Sequence, residues 1–193
     1  MSVLIEIGII LLLVLLNGVF AMGELAVVSS RRARLLALQK AGMKGASTAL
    51  SLAENPERML PTVQIGITLV GILAGAFGGA RLSSTLEPVV AKVPFLAPYA
   101  DDIAFGVVVL VITYLSLILG ELVPKTLALR NPEAVASRLA ALLLLLSRVA
   151  SPAVWLLSSS SALVLRLLGA SQATETAVTE EEVKAVVAEG AEA

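Results

Sequence analysis

The sequence predicts an all-α membrane protein: three transmembrane helices plus short juxtamembrane helices. Three observations predict it. Of 193 residues, 58% are apolar and only 15% charged, and the mean hydropathy is +0.94; a soluble domain is typically about half apolar and about a quarter charged. Three long apolar stretches follow one another along the chain. The basic residues gather at particular ends of those stretches rather than evenly.

The first apolar stretch covers residues 3–28, long enough to cross a hydrocarbon core of roughly 30 Å. Glu6 is its only charge before Glu24. A secretory signal would start basic and have a shorter apolar core, so a retained helix is expected. The second stretch, 60–80, carries no charge. The third, 103–129, is interrupted near its end by Gly120-Glu121 and Pro124-Lys125. Arg31, Arg32, Arg34, Lys40, Lys44 and Arg58 follow the first stretch, whereas only Arg81 and Lys92 separate the second from the third. Basic residues favour the cytoplasmic side. The expected orientation therefore has the N-terminus outside, 31–60 in the cytoplasm, 81–102 outside and the C-terminus cytoplasmic, in a multi-pass protein of the cell (inner) membrane.

Residues 139–146 and 149–165 are again apolar, but Arg148 and Pro152 interrupt them. An Arg at the centre of a spanning helix is unfavourable by about 2.5–3.5 kcal/mol. Two short helices in or at the inner leaflet are expected here rather than a fourth span. Ser158 to Ser161 can back-bond to their own helix and decide nothing. Residues 172–179 read as a polar linker, and Thr179-Glu180-Glu181-Glu182 as a capping box that opens an acidic helix. The expected organisation is a membrane core at 1–134, amphipathic juxtamembrane helices at 135–170, and at 171–193 a linker with the start of a cytoplasmic helix leading to a soluble domain.

Composition also excludes chemistries. With 14 Lys+Arg against 15 Asp+Glu there is no basic field to hold nucleic acid. Without Cys or His there are no disulfides, no thiolate or imidazole metal ligands, and no histidine acid–base group. A metal site must use oxygen ligands, which points to Mg2+, Ca2+, Mn2+ or Na+. No nucleophile–base pair suggests a hydrolase, and an enzyme is not expected.

The polar groups inside the spans are few: Asn17 and Glu24; Thr62, Gln64 and Thr68; Thr113, Tyr114, Ser116 and Glu121. An intramembrane ionisable group is a functional candidate by default. At a rise of 1.5 Å per residue, Glu24 and Thr68 lie roughly 10 Å and Glu121 roughly 13 Å from the cytoplasmic edge. Oxygen-bearing side chains of three helices thus share one level, as a cation held between helices would need. The other reading of Glu24 is snorkelling, or hydrogen bonding to a neighbouring helix. At Glu121, Pro124 deletes the backbone bond to Gly120. A freed Gly120 carbonyl beside a carboxylate at a helix break makes an ion ligand set; the other reading is a proline kink with Glu121 paired to Lys125. Gln64 and Thr68 share a face of the second helix and add neutral oxygens. Gly71, Gly75 and Gly79 form a smooth stripe, suited to ordinary close packing or to a dimer interface.

The segments LLNGVFAMGELAVVSSRRARL (15–35), PERMLPTVQIGITLVGILAGAFGG (56–79) and LILGELVPKTLAL (117–129) resemble the transmembrane domain of the CorC/CNNM family. The segment VTEEEVKAVVAEG (178–190) looks like the stretch that leads from that membrane domain to an acidic helical bundle and CBS domains. The resemblance implies three spans with juxtamembrane helices, and a homodimer that exports Mg2+ or Co2+ coupled to Na+ entry. Members with a well-formed Mg2+ site carry a Ser-Gly-Ser-Glu-like element on the first helix and an Asn pair on the second. Here those positions hold Ala21, Met22, Gly23 and Glu24, and Ile67 and Thr68. Glu24 and Glu121 alone carry over cleanly, as in the haemolysin-related branch.

The expected function is a secondary transporter exporting a divalent cation, Mg2+ first with Co2+ or Mn2+ beside it, through Glu121, Glu24, Thr68, Gln64 and Gly120. Two alternatives stand: a membrane anchor for a nucleotide-sensing CBS module, and an exporter of an organic cation such as a polyamine. Intramembrane carboxylates favour transport, since an anchor needs none.

Overall fold

The computed structural model describes residues 3–168. The linker and capping box at 172–182 lie outside the described residues. All regular structure among the described residues is helical: α1 Val3–Ser29, α2 Arg32–Lys40, α3 Ala46–Glu54, α4 Pro56–Val90, a 3-10 turn Ala97–Tyr99, α5 Ala100–Leu117, a π turn Ile118–Leu122, α6 Val123–Arg130 and α7 Pro132–Leu167. Lipid supplies no hydrogen-bond partners, so a spanning chain must satisfy its backbone internally, and helices do so. The all-α membrane class holds. Large apolar side chains such as Leu4, Leu12, Ile72 and Leu110 stand on the outer surface, which suits contact with acyl chains.

The chain divides into two units, Met1–Ser151 and Pro152–Ala193. In the first, α1 is the central helix, packing against α4, the π turn and α6, while α5 packs against α4. Ile10 and Val14 of α1 meet Val108 and Ile112 of α5. Nearer the other end of α1, Phe20, Ala26 and Val27 join a larger core with Met59, Val63 and Leu143. Small residues make the tight crossings: Ala21, Ala26, Ala128, Ala136 and Ala140 are fully enclosed, and small side chains let membrane helices approach closely. In the second unit the described residues remain helical, and Ser159 and Ser160 donate to the carbonyls of Trp155 and Leu156 at 2.8 Å each.

Three expectations change. Residues 31–60, expected only to face the cytoplasm, contain helices: α2 and α3 form a hairpin through Gly42 and Gly45, both at positive φ. The second apolar stretch continues to 35 residues as α4, because helical hydrogen bonding does not stop where hydropathy falls. Residues 135–168 are not two short helices. Residues 135–167 lie in one 36-residue helix, α7, which runs through Arg148 and Pro152; Pro152 removes one backbone donor without ending the helix. Among the described residues, four helices rather than three are therefore long and apolar enough to cross a membrane.

α7 also organises the hairpin. Its Glu133 is buried and accepts the Arg31 backbone N–H at 3.2 Å. The N-terminus of α2 has no side-chain cap of its own, so Glu133 caps it from another helix. The Arg34 guanidinium lies 3.8 Å from the same carboxylate.

Candidate functional site: a carboxylate on a π turn beside α1

Glu121 sits within the π turn, where the Val123 N–H reaches back five residues to the Ile118 carbonyl. Such turns insert one extra residue into a helix and are frequent at functional sites. Pro124 follows directly. Its nitrogen carries no hydrogen, so it can serve neither Gly120 in an α pattern nor Leu119 in a π pattern.

The helix is interrupted at Gly120-Glu121 as the sequence predicts, but the Gly120 carbonyl is not free. Asn17 of α1 donates its Nδ2–H to it at 3.2 Å, in a buried contact. Glycines on both sides permit this approach. A Cβ at Gly18 would lie 2.8 Å from the Leu119 carbonyl oxygen and 2.9 Å from Pro124 Cγ, and one at Gly120 would lie 3.1 Å from Asn17 Nδ2. The Asn17 Oδ1 is buried and has no hydrogen-bond partner.

The Glu121 carboxylate receives Lys125 Nζ at 2.7 Å, and its side chain is 44% exposed. The paired reading of Glu121 is thus the arrangement present. The pair lies on an open flank of the helix, where a cation could exchange with the ammonium. Glu24 is half-buried and, among the described residues, makes no hydrogen bond or ion pair. It stands seven residues beyond Asn17 on the same face of α1, roughly 10 Å along the axis.

Gln64 and Thr68 share a face of α4, as their spacing predicts, but both are exposed. α4 meets α1 through its other side, where Gly66 lies against Phe20. The exposed face continues through Gly71 and Gly75, where an added Cβ would meet nothing within 4 Å. Gly79 leaves the stripe, because Phe105 covers it. Within one chain, then, Gly120 is joined to α1, while Gln64 and Thr68 lie on an outer surface.

No cluster of three acidic side chains capable of holding a metal occurs among the described residues. A cation at Glu121 or Glu24 would meet one carboxylate, with carbonyl, amide or water oxygens completing its shell. Sequence reasoning found Asn17 as a polar residue inside a span but not its partner; the adjoining Gly18 was the available signal of a close crossing.

A family model described as the cyclin M transmembrane N-terminal domain matches residues 7–193. Relatives include UPF0053 protein sll0260 of Synechocystis, 45% identical over all of this chain and 43% of its own length. UPF0053 protein YhdP of Bacillus subtilis is 30% identical over 92% of this chain and 40% of its own. The polyamine export protein of Haemophilus influenzae is 31% identical over 95% of this chain and 42% of its own. The chain thus spans about two fifths of the length of these relatives. The CorC/CNNM resemblance read from the three motifs holds: the chain belongs to the cyclin M family, matching it through the transmembrane domain.

Proposed function

We propose that this chain is the membrane domain of a secondary cation transporter that exports a divalent cation, Mg2+ before Co2+ or Mn2+, in exchange for Na+. The carrying observation is the half-exposed Glu121 carboxylate on a π turn, already neutralised by Lys125. Lys125 holds the site when no cation is present; an arriving cation replaces its ammonium, and Lys125 returns when the cation leaves. Glu24 supplies a second negative charge on α1. Mg2+ wants six oxygens near 2.1 Å and dehydrates reluctantly, so with Ala21, Met22 and Gly23 in place of serines it would keep several waters.

One observation favours a second reading, the export of a polyamine. A primary ammonium, that of Lys125, already sits on the Glu121 carboxylate at 2.7 Å, and a polyamine presents the same group. One relative is named a polyamine export protein. Flux from the purified protein in liposomes, with Mg2+, Mn2+, Co2+ and putrescine compared, separates the readings. Putrescine flux without metal flux would replace the first by the second; flux of none of them would reject both.

The proposed orientation follows the basic residues: 31–60 in the cytoplasm and 81–102 outside. α7 lies along the inner surface, because a span would place Arg148 near mid-membrane. Ser47→Cys and Ser84→Cys variants test the orientation of the first three spans, since the chain has no cysteine and both positions are exposed. An impermeant thiol reagent on intact cells is expected to label position 84 and spare 47; the reverse pattern rejects this orientation.

We propose a homodimer through the open face of α4. Gln64 and Thr68 there are poor groups to leave against lipid, and Gly71 and Gly75 leave room for a second helix. Gly75→Leu is expected to lower the dimer fraction in detergent at least several-fold. An unchanged dimer mass would remove this face from the interface.

A further inference from the structure

Gly120 carries a backbone oxygen that its own helix cannot satisfy in an α pattern, because Pro124 brings no hydrogen. That oxygen is met from α1 by Asn17 Nδ2 at 3.2 Å. Asn17 is only 9% exposed, and Gly18 beside it clears the path for the Leu119 carbonyl and Pro124. Its Oδ1 is enclosed and unpartnered, an arrangement that is unfavourable in a buried site. Packing alone would be better served by an apolar side chain of the same shape. What the amide adds is the donor for Gly120.

That donor acts next to Glu121. A π turn inserts one residue, so the side chains beyond it stand about 100° from where a continuous α-helix would put them. Lys125 lies beyond the turn and Glu121 within it, so whether the turn persists decides where Lys125 stands and turns Glu121 by part of that angle. We propose that Asn17 is a positioning residue for the cation site: by holding the Gly120 carbonyl it keeps the π register and so sets the direction of the Glu121 carboxylate. This rests on the reading that Glu121 binds the transported cation.

Asn17→Leu removes the donor at nearly constant volume. Asn17→Ala removes the same donor in a smaller side chain without burying a charge or an O–H; it serves if the leucine variant does not fold. Pro124→Ala returns a backbone N–H that can reach Gly120 as an α-helix would, making the amide dispensable for folding. The measurements are the unfolding midpoint and the half-saturating concentration for flux in liposomes, using whichever of Mg2+ and putrescine the unmodified protein carries. Asn17→Leu is expected to lower the midpoint and raise the half-saturating concentration at least ten-fold. Adding Pro124→Ala is expected to restore the midpoint but not the half-saturation, because the carboxylate is now in the α register. Recovery of both together would mean that Asn17 is merely structural, and an unchanged half-saturation in Asn17→Leu would likewise overturn the proposal. Glu121→Gln, measured in parallel, separates the two failures. If it transports normally, the site reading falls and this proposal with it; if it is inactive while Asn17→Leu is normal, only the role of Asn17 falls.

Discussion

Glu121→Gln is expected to reduce cation flux at least a hundred-fold while leaving expression and oligomeric state near normal. Glutamine keeps the shape and removes the charge. The contacts that seat the π turn on α1 are made by Asn17, Gly18, Gly120 and Pro124, and none of them uses the Glu121 carboxylate. Among the described residues its one partner is Lys125, four residues on, in a pair whose side chains are 44% and 35% exposed. An exposed pair at that spacing contributes only about 0.3–0.5 kcal/mol in water, so the fold should tolerate the change. A transported cation would instead lose the charge that balances it away from bulk water. Isotope efflux from liposomes under a fixed gradient is the measurement. Glu24→Gln, run beside it, should match that loss if Glu24 touches the ion and fall short if it acts only through its field. Thr68→Val should leave flux near the unmodified rate, since Thr68 lies on the exposed face of α4. Transport by Glu121→Gln at the unmodified rate would leave the carboxylate as a structural partner of Lys125.

Where the sequence was legible, one physical constraint dominated. A bilayer core leaves the backbone no partner but itself, so long apolar runs had to be helices, and α1 ends within a residue of its expected limit. Helix ends outside the hydrocarbon answer to other forces. Hydropathy falls after Ala80, yet α4 continues through Arg81, Ser83 and Glu87 to Val90, with Ser83 donating back to Gly79. Arg148 and Pro152 are costly for insertion, but neither breaks α7; a penalty on crossing a membrane is not a penalty on being helical. At the candidate site, spacing showed that Gln64 and Thr68 share a face and that Pro124 would disturb Gly120. It could not show that the shared face points outward, nor that a residue 103 positions away would take the carbonyl. Those facts belong to the packing of α1 between its neighbours, and periodicity within one helix carries no record of it. Glu133 escaped notice for the same reason: nothing near it in sequence marks it as the cap of α2.

Gly45→Ala is expected to destabilise the protein by about 3–4 kcal/mol, through backbone strain and a steric clash together. Gly45 precedes α3 with φ +83 and ψ −10. A non-glycine residue in the left-handed region costs roughly 1–2 kcal/mol. The clash costs more: an added Cβ would meet the Ser137 carbonyl oxygen well inside van der Waals contact. That oxygen is backbone in the second turn of α7 and cannot rotate aside. Ser137 is itself held, buried, with its Oγ donating to the Glu133 carbonyl at 2.7 Å. Glu133 in turn caps α2 through the Arg31 N–H. Separating α3 from α7 to admit one methyl group would therefore disturb the cap of α2 as well. Gly42 supplies the control within the same hairpin. It has φ +76, but nothing lies within 4 Å of an added Cβ, so Gly42→Ala should show the backbone strain alone, about 1–2 kcal/mol. The difference between the two variants, read from reversible unfolding in detergent, isolates the contact of the hairpin with α7. Equal losses would mean that the hairpin can move away from α7 freely, and that the Glu133 cap does not hold the two together.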